Sequence, residues 1–254
     1  MSDPASFYDR LAPYYHLLYG DWEASVAKQG AALAHLLDTH GVRLGEPILD
    51  AASGIGTQTI GLAAKGYDGT ASDCSSGAIA RLKRELIERG LSGNVYVDDL
   101  RELGHSASGA FAAVIACDNS IPHLLTDQEL LRCFRNCLRC LRPGGLAVFS
   151  VRDYAAIPRV SPDVRPYGIR NIDSRRFLAV QVWEWEDDCY DLRMYLTTEE
   201  SDGLCHTEVF RSRYYAVSID RLLSLMQEAG FVQTQRMDDV LFQPVLIGRR
   251  ADAV

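Results

Sequence analysis

The spacing of apolar residues divides the chain into regions of different fold type. From residue 48 to residue 151, continuous apolar runs such as Phe111–Ala116 alternate with segments whose apolar residues recur three and four positions apart. A continuous run is typical of a strand buried on both faces, and the second pattern is typical of a helix that packs on one side. The alternation predicts an α/β fold whose sheet is mostly parallel and doubly wound.

The same patterns place the predicted elements along the chain. Strands are predicted from Ile48 to a glycine turn, then over 69–73, 95–97, 111–116 and 146–151, and finally at 245–247. Helices are predicted over 23–40, 58–65, 77–89, 127–141 and 218–229. Gly90 and Gly230 stand at two of the helix ends, where glycine is a common stop.

Residues 152–216 follow a different pattern, in which apolar and polar residues alternate. The alternation is clearest over 180–185, 192–196 and 209–214. It is typical of antiparallel strands with one solvated face. We therefore predict an antiparallel insert before the chain returns to the first sheet.

The segment 6–29 is rich in aromatic residues at helical spacing, which predicts one or two amphipathic helices. The aromatic residues are Phe7, Tyr8, Tyr14, Tyr15, Tyr19 and Trp22. The stripe is equally consistent with a packing cap over the sheet and with a lid whose tyrosines face a ligand.

The charge of the chain restricts its partners. The 254 residues carry a formal net charge of -8 and are 47% hydrophobic. This composition supports a full core but disfavours nucleic acid or an anionic membrane as a partner. Met1–Pro4 is acidic and polar, unlike a secretory signal, and no apolar run approaches the ~18 residues of a membrane span. We therefore expect a cytoplasmic protein.

The seven cysteines are an odd number without the spacing of a disulfide framework. Cys133, Cys137 and Cys140 share one face of a predicted helix. A metal cluster is the alternative interpretation, but Cys137 and Cys140 have no second pair with which to complete a zinc site. We expect these thiols to pack as small apolar groups, and we predict no metal site.

The glycine turn after the first strand is the most informative motif. Within Ile48–Thr57, Gly54 and Gly56 let a ligand lie against backbone N–H groups at a helix start. Asp73 ends the second strand, where a carboxylate can accept hydrogen bonds from two ribose hydroxyls. Thr59 stands where a dinucleotide motif has its third glycine, so the pattern favours a different nucleoside cofactor over NAD.

Residues 48–57 resemble motif I of the class I S-adenosylmethionine-dependent methyltransferases, and the resemblance covers roughly residues 7–152. Ala52 replaces the frequent first glycine, as it does in glycine N-methyltransferases. Residues 119–123 and 150–154 resemble the substrate loops of glycine and sarcosine N-methyltransferases. The resemblance implies S-adenosylmethionine as cofactor and a small-molecule acceptor, and it leaves a homo-oligomer open.

The resemblance also implies a seven-strand, doubly wound, mostly parallel sheet of the Rossmann-like type, with an antiparallel β lid insert between strands five and six. The cofactor-binding core with an N-terminal helical lid would span 1–151, and the substrate lid would span 152–216. A C-terminal helix and strand within 217–254 would complete the sheet.

Cofactor contacts can be carried over residue by residue. The methionine moiety would lie against Ala52, Ser53, Gly54 and Gly56, with Cys117 near the sulfonium. Asp73 would hold the ribose hydroxyls, and Cys74 would be a further cofactor contact. Asp99 would accept from the adenine amino group, and the Leu100 N–H would donate to the ring. Candidate lid contacts are Tyr8, Tyr15, Tyr19, Trp22 and Gln29, of which Tyr15 and Trp22 are assigned to the cofactor.

For the acceptor, the resemblance implies a carboxylate held by the guanidinium of Arg152. Asn119 would hold the amine or the carboxylate from the opposite side, and His123 would support that loop. Tyr154 is one of several tyrosines that could surround an amine through cation–π attraction. Arg152 is otherwise a surface charge at a strand end, His123 a structural loop residue, and the tyrosines ordinary strand-face residues.

These assignments predict N-methylation of a small amine that bears a carboxylate, such as glycine or sarcosine. Direct methyl transfer needs placement and desolvation more than acid–base residues, provided that the amine arrives deprotonated. The alternatives are an O- or N-methyltransferase of a larger secondary metabolite and a non-catalytic S-adenosylmethionine-binding protein. An NAD oxidoreductase is disfavoured by Thr59.

Overall fold

Two sheets, six α-helices and three short 3-10 helices are the regular elements of residues 3–252, the part of the chain that the computed structural model describes. The strands are β1 (Pro47–Asp50), β2 (Asp68–Asp73), β3 (Asn94–Val97), β4 (Phe111–Ala116), β5 (Leu141–Ser150), β6 (Asp163–Ile172), β7 (Arg175–Glu186), β8 (Cys189–Glu199), β9 (Cys205–Tyr215), β10 (Val232–Met237) and β11 (Val245–Arg249). The helices are α1 (Pro4–Leu11), α2 (Trp22–Thr39), α3 (Thr57–Ala63), α4 (Ser76–Glu88), α5 (Asp127–Cys140) and α6 (Ile219–Ala229).

The larger sheet has seven strands in the order β10-β11-β5-β4-β1-β2-β3. The five strands from β3 to β5 are parallel, whereas β11 pairs antiparallel with both β5 and β10. The predicted seven-strand, mostly parallel sheet is therefore confirmed. Since parallel strands end at the same edge, the loops after β1, β2 and β4 meet there.

Alternate residues of the central strands face opposite layers of helices. Leu49 and Val114 pack in a cluster with α5 and α6, whereas Ile48 and Ile115 pack in a cluster with α2. This two-sided burial explains the continuous apolar runs in the sequence. The helix limits agree with the predicted ones to within one or two residues.

The smaller sheet is antiparallel, in the order β6-β7-β8-β9, and it lies in the chain between β5 and α6. Its buried face includes Trp183, Tyr190, Phe210 and Tyr214, and this face packs against Phe7 of α1. The predicted antiparallel insert is confirmed as a sheet. Its proposed limits at 152 and 216 as a separate unit stay a prediction.

Two strands had no sequence signal. Most of β10 is exposed at the edge of the large sheet, and β6 is an exposed edge interrupted by an irregularity at Pro166–Gly168. Edge strands bury few side chains, so they lack the apolar run or regular alternation on which prediction depends.

The fifth strand begins earlier than predicted. The Arg142–Gly145 turn lies inside β5 as an irregularity, because Leu141 already pairs with Phe111 and pairing resumes at Leu146. Gly144 N donates to the Arg250 carbonyl at 3.1 Å. This long-range pairing keeps the turn in the strand.

Helix α1 is fastened to the start of α4. Oδ1 of Asp9 accepts from Ser75 Oγ and from Gly77 N, both at 2.7 Å, and these bonds lower the pKa of Asp9. Arg81 of α4 donates to the Ala12 carbonyl at 2.8 Å. The aromatic N-terminal segment is thus held over the carboxyl edge of the sheet while it also packs on the small sheet.

The cysteines of α5 are buried as predicted. Cys133, Cys137 and Cys140 are fully buried beside Leu130 and Phe134. Between residues 3 and 252, no helix has the length and apolar character needed to cross a membrane. Met1 and Ser2 lie outside the described residues. They are part of the segment from which we predict that the amino terminus is not a secretory signal.

Helices α2 and α3 approach closely at two glycines, which yields the first prediction. A Cβ at Gly30 would lie 2.6 Å from the backbone of Gly61. We expect Gly30→Ala to lower the free energy of unfolding by about 1–3 kcal/mol, because the backbones must separate. Gly69→Ala in β2 is the control, since a Cβ there meets no atom within 4 Å. Equal losses in urea denaturation would contradict the packing argument.

Candidate active site

Three neighbouring cavities lie at the carboxyl edge of the large sheet. The turn cavity surrounds the loop after β1 and has a volume of about 50 Å³. The edge cavity, about 560 Å³, lies over the ends of β2 and β3, and the lid cavity, about 590 Å³, lies under the small sheet. Tyr8 lines all three, and Tyr15 and Asp118 line both the turn and lid cavities. A ligand in one cavity can therefore reach a ligand in the next.

The turn cavity is shaped by two glycines with positive φ. Gly54 has φ +52°, and an added Cβ there would point into open space. Gly56 has φ +101°, and a Cβ would lie 2.3 Å from Leu82 Cδ1. Gly54 therefore opens the backbone to a ligand, whereas Gly56 lets α3 begin close to α4.

Asp73 joins the ends of the first two strands. Its carboxylate accepts from Gly54 N and from Ser75 N, both at 2.8 Å. Burial raises the pKa of Asp73, and these two hydrogen bonds oppose the shift. Asp73 lines both the turn and edge cavities, so it stands where two parts of one ligand would meet.

A second carboxylate lies beneath the turn. Burial raises the pKa of Asp50 to about 7, although Thr59 Oγ1 donates to it at 2.7 Å. Thr59 thus has a definite partner in the position where a dinucleotide motif has glycine.

The edge cavity ends at Asp98, Asp99 and Leu100. Asp98 is buried and accepts from the backbone N–H groups of Asp99 and His105, which fixes the loop. Asp99 lines the cavity. Although burial raises its pKa, hydrogen bonds from Arg101 lower the pKa overall. The cavity therefore offers an ionised acceptor at its far end.

The lid cavity carries a cation without a carboxylate partner. Among residues 3–252, no Asp or Glu oxygen lies within 4.0 Å of the Arg152 guanidinium. The guanidinium stands 5.4 Å from the centre of the Trp183 ring, and Tyr167 and Tyr214 line the same cavity. Because arginine stays protonated, the lid cavity presents a permanent positive charge to a ligand.

Asn119 and Tyr154 lie behind Arg152 and are not among the residues that line the three cavities. Asn119 is 1% exposed; its Oδ1 accepts from Arg152 N at 3.0 Å and its Nδ2 donates to Tyr154 Oη at 2.8 Å. Tyr154 Oη also bonds to Tyr190 Oη at 3.1 Å. This chain of hydrogen bonds orients the backbone at Arg152.

His123 links the loop after β4 to the lid and to α1. Its Nε2 lies 2.9 Å from Tyr8 Oη and its Nδ1 lies 3.3 Å from Ser212 Oγ. Burial and the charge of Arg152 lower its pKa to about 3. His123 is therefore neutral near pH 7 and is hydrogen-bonded to Tyr8 and Ser212.

Trp22 does not line any of the three cavities, so its contact with the cofactor stays a prediction. Its Nε1 donates to Thr57 Oγ1 at 3.0 Å, and Thr57 in turn donates to Tyr19 Oη at 3.3 Å. Tyr19 Oη donates to Asp118 Oδ2 at 2.8 Å. Trp22 thus ends a relay of hydrogen bonds that leads to the junction of the turn and lid cavities.

The other predicted cofactor residues line these cavities, except Gly56, which packs against Leu82 and Ile60 and lines none of the three. The turn cavity is lined by Ala52, Ser53, Gly54, Asp73, Cys117 and Tyr15, and the edge cavity by Ala52, Asp73, Cys74, Asp99 and Leu100. Asp118 and Gln58 also line the turn cavity and had not been predicted. An acid directly after β4, between Cys117 and Asn119, was the signal that could have identified Asp118.

Unpartnered polar atoms show that the turn cavity suits a polar ligand. Ser53 Oγ, Ser120 Oγ and Asp118 Oδ1 are buried without a hydrogen-bond partner within residues 3–252. With the open backbone at Gly54 and the Asp73 carboxylate, they fit a nucleoside that carries an amino-acid moiety. The fold and the site define a protein that binds a nucleoside cofactor at the edge of a doubly wound sheet.

Comparisons with known proteins identify the family. A family model described as a methyltransferase domain matches residues 48–145. Human glycine N-methyltransferase is 31% identical over 242 residues, which cover 86% of this chain and 79% of that protein. A glycine/sarcosine N-methyltransferase from Parasynechococcus marenigrum (strain WH8102) is 27% identical over 219 residues, 86% of this chain and 73% of its own length.

The fold comparison agrees. The crystal structure of Streptomyces venezuelae DesVI superposes with a TM-score of 0.79 over 100% of both chains, at 17% identity. The chain belongs to the class I S-adenosylmethionine-dependent methyltransferases. Its cofactor is S-adenosylmethionine, and it is an enzyme that transfers a methyl group.

The position of Asp73 yields a prediction for cofactor binding. We expect Asp73→Asn to weaken binding of S-adenosylhomocysteine by about 10- to 100-fold, the loss of one or two charge-assisted hydrogen bonds. Asp68→Asn is the control, because it makes the same change at the exposed opposite end of β2. Isothermal titration calorimetry measures both, and equal affinities for the two variants would exclude Asp73 from the cofactor site.

Proposed function

We propose that the protein N-methylates a small amine that carries a carboxylate, with glycine and sarcosine as the first acceptors to test. The observation that carries the proposal is Arg152, a cation in the lid cavity that has no carboxylate partner within residues 3–252. A guanidinium binds a carboxylate through two parallel hydrogen bonds. The human and Parasynechococcus relatives, which are N-methyltransferases named for glycine and for glycine and sarcosine, support this class of acceptor.

The bound cofactor would supply a methyl group on a positively charged sulfur, ready for displacement by a nucleophile. We assign its ribose to Asp73 and its adenine to Asp99 and Leu100, in the edge cavity. Its amino-acid end would lie against the backbone of Ser53 and Gly54 in the turn cavity. The protein then has to hold the acceptor in line with the methyl group and exclude water.

The acceptor would lie in the lid cavity with its carboxylate on Arg152. We assign Asn119 and Tyr154 the role of positioning residues, because their side chains are hydrogen-bonded behind Arg152. Tyr167 and Tyr214 line the cavity, where electron-rich rings stabilise a positive charge that develops on nitrogen.

Access to the site would be controlled by the N-terminal segment. Tyr8 and Tyr15 line both the turn and lid cavities, and Tyr8 is held by His123. Because His123 is neutral near pH 7, it brings no second charge beside Arg152. The segment would close the cleft over both ligands and remove water from the reacting atoms.

A larger acceptor is the second candidate, and the size of the lid cavity favours it. A volume of about 590 Å³ lies in the range of sites for drug-sized ligands. Val240, Leu241 and the exposed Phe242 line one side of this cavity and offer apolar contact to a bulky group. Such an acceptor would also require an anionic group to match Arg152.

The Arg152 assignment is tested by kinetics with glycine and sarcosine. We expect Arg152→Ala to raise the acceptor KM by about 100-fold, since the carboxylate loses its buried partner. In Arg152→Lys the acceptor KM should rise less, because lysine keeps the positive charge but cannot form two parallel hydrogen bonds to a carboxylate. Binding of S-adenosylhomocysteine should be unchanged in both variants.

Arg159→Ala is the matched control, because Arg159 also lies over a tryptophan ring of the lid but is exposed and paired with Asp188. An acceptor KM that is the same in wild type and Arg152→Ala would refute the proposal. Release of S-adenosylhomocysteine with bulky amino carboxylates, but not with glycine or sarcosine, would favour the larger acceptor.

A further inference from the structure

Asp118 is a carboxylate to which the proposed function gives no role. It follows β4 directly and lines both the turn cavity and the lid cavity. If the cofactor and the acceptor occupy these two cavities, Asp118 stands beside the reacting atoms. This inference therefore rests on the proposed function and deepens it.

One oxygen of this carboxylate is satisfied and the other is not. Oδ2 accepts from Tyr19 Oη at 2.8 Å. Oδ1 is buried and has no hydrogen-bond partner in the part of the chain from residue 3 to residue 252. Since buried polar atoms are nearly always paired, Oδ1 is set to accept from a donor on a bound molecule.

The backbone at Asp118 has an unfavourable conformation, and hydrogen bonds from its N–H groups maintain it. Asp118 and Asn119 have φ values of +55° and +65°, in the left-handed region that few residues other than glycine adopt. Asp118 N donates to Ser150 Oγ at 2.8 Å, and Asn119 N donates to the Ser150 carbonyl at 3.0 Å. The end of β5 thus fixes the direction in which Asp118 points.

The lid cavity contains two groups of opposite charge, Asp118 and Arg152. Arg152 lines the same cavity, yet the two groups form no ion pair within 4.0 Å. The cavity therefore presents one anion and one cation that do not neutralise each other by contact. Its charges complement an acceptor with a carboxylate at one end and an ammonium group at the other.

We propose that Asp118 binds the ammonium form of the acceptor and takes its proton, which makes Asp118 a catalytic base. The nitrogen loses a proton to Oδ1, its lone pair forms the bond to the methyl carbon, and the methyl–sulfur bond breaks with its electron pair on sulfur. The proton leaves to solvent after the methylated product departs.

The environment of Asp118 suits this role. Burial raises the pKa of the Asp118 carboxyl, while the nearby side chains of Gln58 and Tyr19 and the charge of Arg152 oppose the shift. A base is most effective when its pKa approaches the working pH. The titratable and charged groups that face it are Tyr15, Tyr19, Asp50, Cys117 and Arg152.

The pH dependence of the isosteric variant Asp118→Asn is the test, with sarcosine as acceptor. In the wild type, log kcat/KM should be flat between about pH 7 and about pH 8.5, because the enzyme uses the abundant ammonium form. In Asp118→Asn, kcat/KM should be about 100-fold lower at pH 7, and log kcat/KM should rise by about one unit per pH unit, because only the scarce free amine reacts.

Asp173→Asn is the matched control. Asp173 also has a positive φ, +48°, but it lies exposed in the turn between β6 and β7, so its variant should keep the wild-type profile. Calorimetry supplies a readout besides activity. Asp118→Asn should bind S-adenosylhomocysteine normally, and its complex with S-adenosylhomocysteine should bind sarcosine more weakly than the wild-type complex does.

Tyr19→Phe provides a second variant that keeps the ring. It removes the hydrogen bond to Oδ2, so the acidic limb of the profile should move to higher pH. A flat pH profile in Asp118→Asn would overturn the inference. The inference would also fail if Asp118→Asn weakened the binding of S-adenosylhomocysteine but not that of sarcosine, because Asp118 would then contact the cofactor. The response of KM in Arg152→Ala is independent of both results and reports on the proposed function.

Discussion

Two carboxylates at the start of α4 hold the site together. Asp73 accepts from Gly54 N and Ser75 N, so it ties the glycine turn after β1 to the helix that follows β2. Asp9 accepts from Ser75 Oγ and Gly77 N, so it ties the N-terminal segment to the same helix. Acidic groups are favourable at a helix N-terminus. The glycine turn and the N-terminal segment therefore depend on one anchor.

Two other sets of hydrogen bonds hold the charged groups of the lid cavity. Trp22, Thr57 and Tyr19 form a relay to Asp118. Asn119 and Tyr154 connect the loop after β4 to Arg152. The anion and the cation of the lid cavity are thus held by separate sets of partners, which keeps them apart. The proposed zwitterionic acceptor would require this separation, because a direct ion pair between Asp118 and Arg152 would leave neither charge available to it.

Much of the fold could be predicted because the central strands are buried on both faces. Phe111–Ala116 was predicted with its observed limits, and the seven-strand sheet and the antiparallel sheet are both confirmed. The edge strands β6 and β10 could not be predicted, since their side chains bury little. The early start of β5 also escaped prediction, because it depends on the pairing of Leu141 with Phe111 and of Gly144 with Arg250, residues that are distant along the chain.

The sequence by itself determined the order of elements, the glycine turn, and the acid at the end of β2, because these features rest on local periodicity and short spacing. It also singled out Arg152. Only the tertiary structure decided which polar groups remain available to a ligand. Asn119, predicted as an acceptor contact, has both ends of its amide occupied, whereas Oδ1 of its neighbour Asp118 has no hydrogen-bond partner within residues 3–252. The physical reason is that their hydrogen-bond partners lie from 33 to 99 residues away along the chain, where no local pattern can show them.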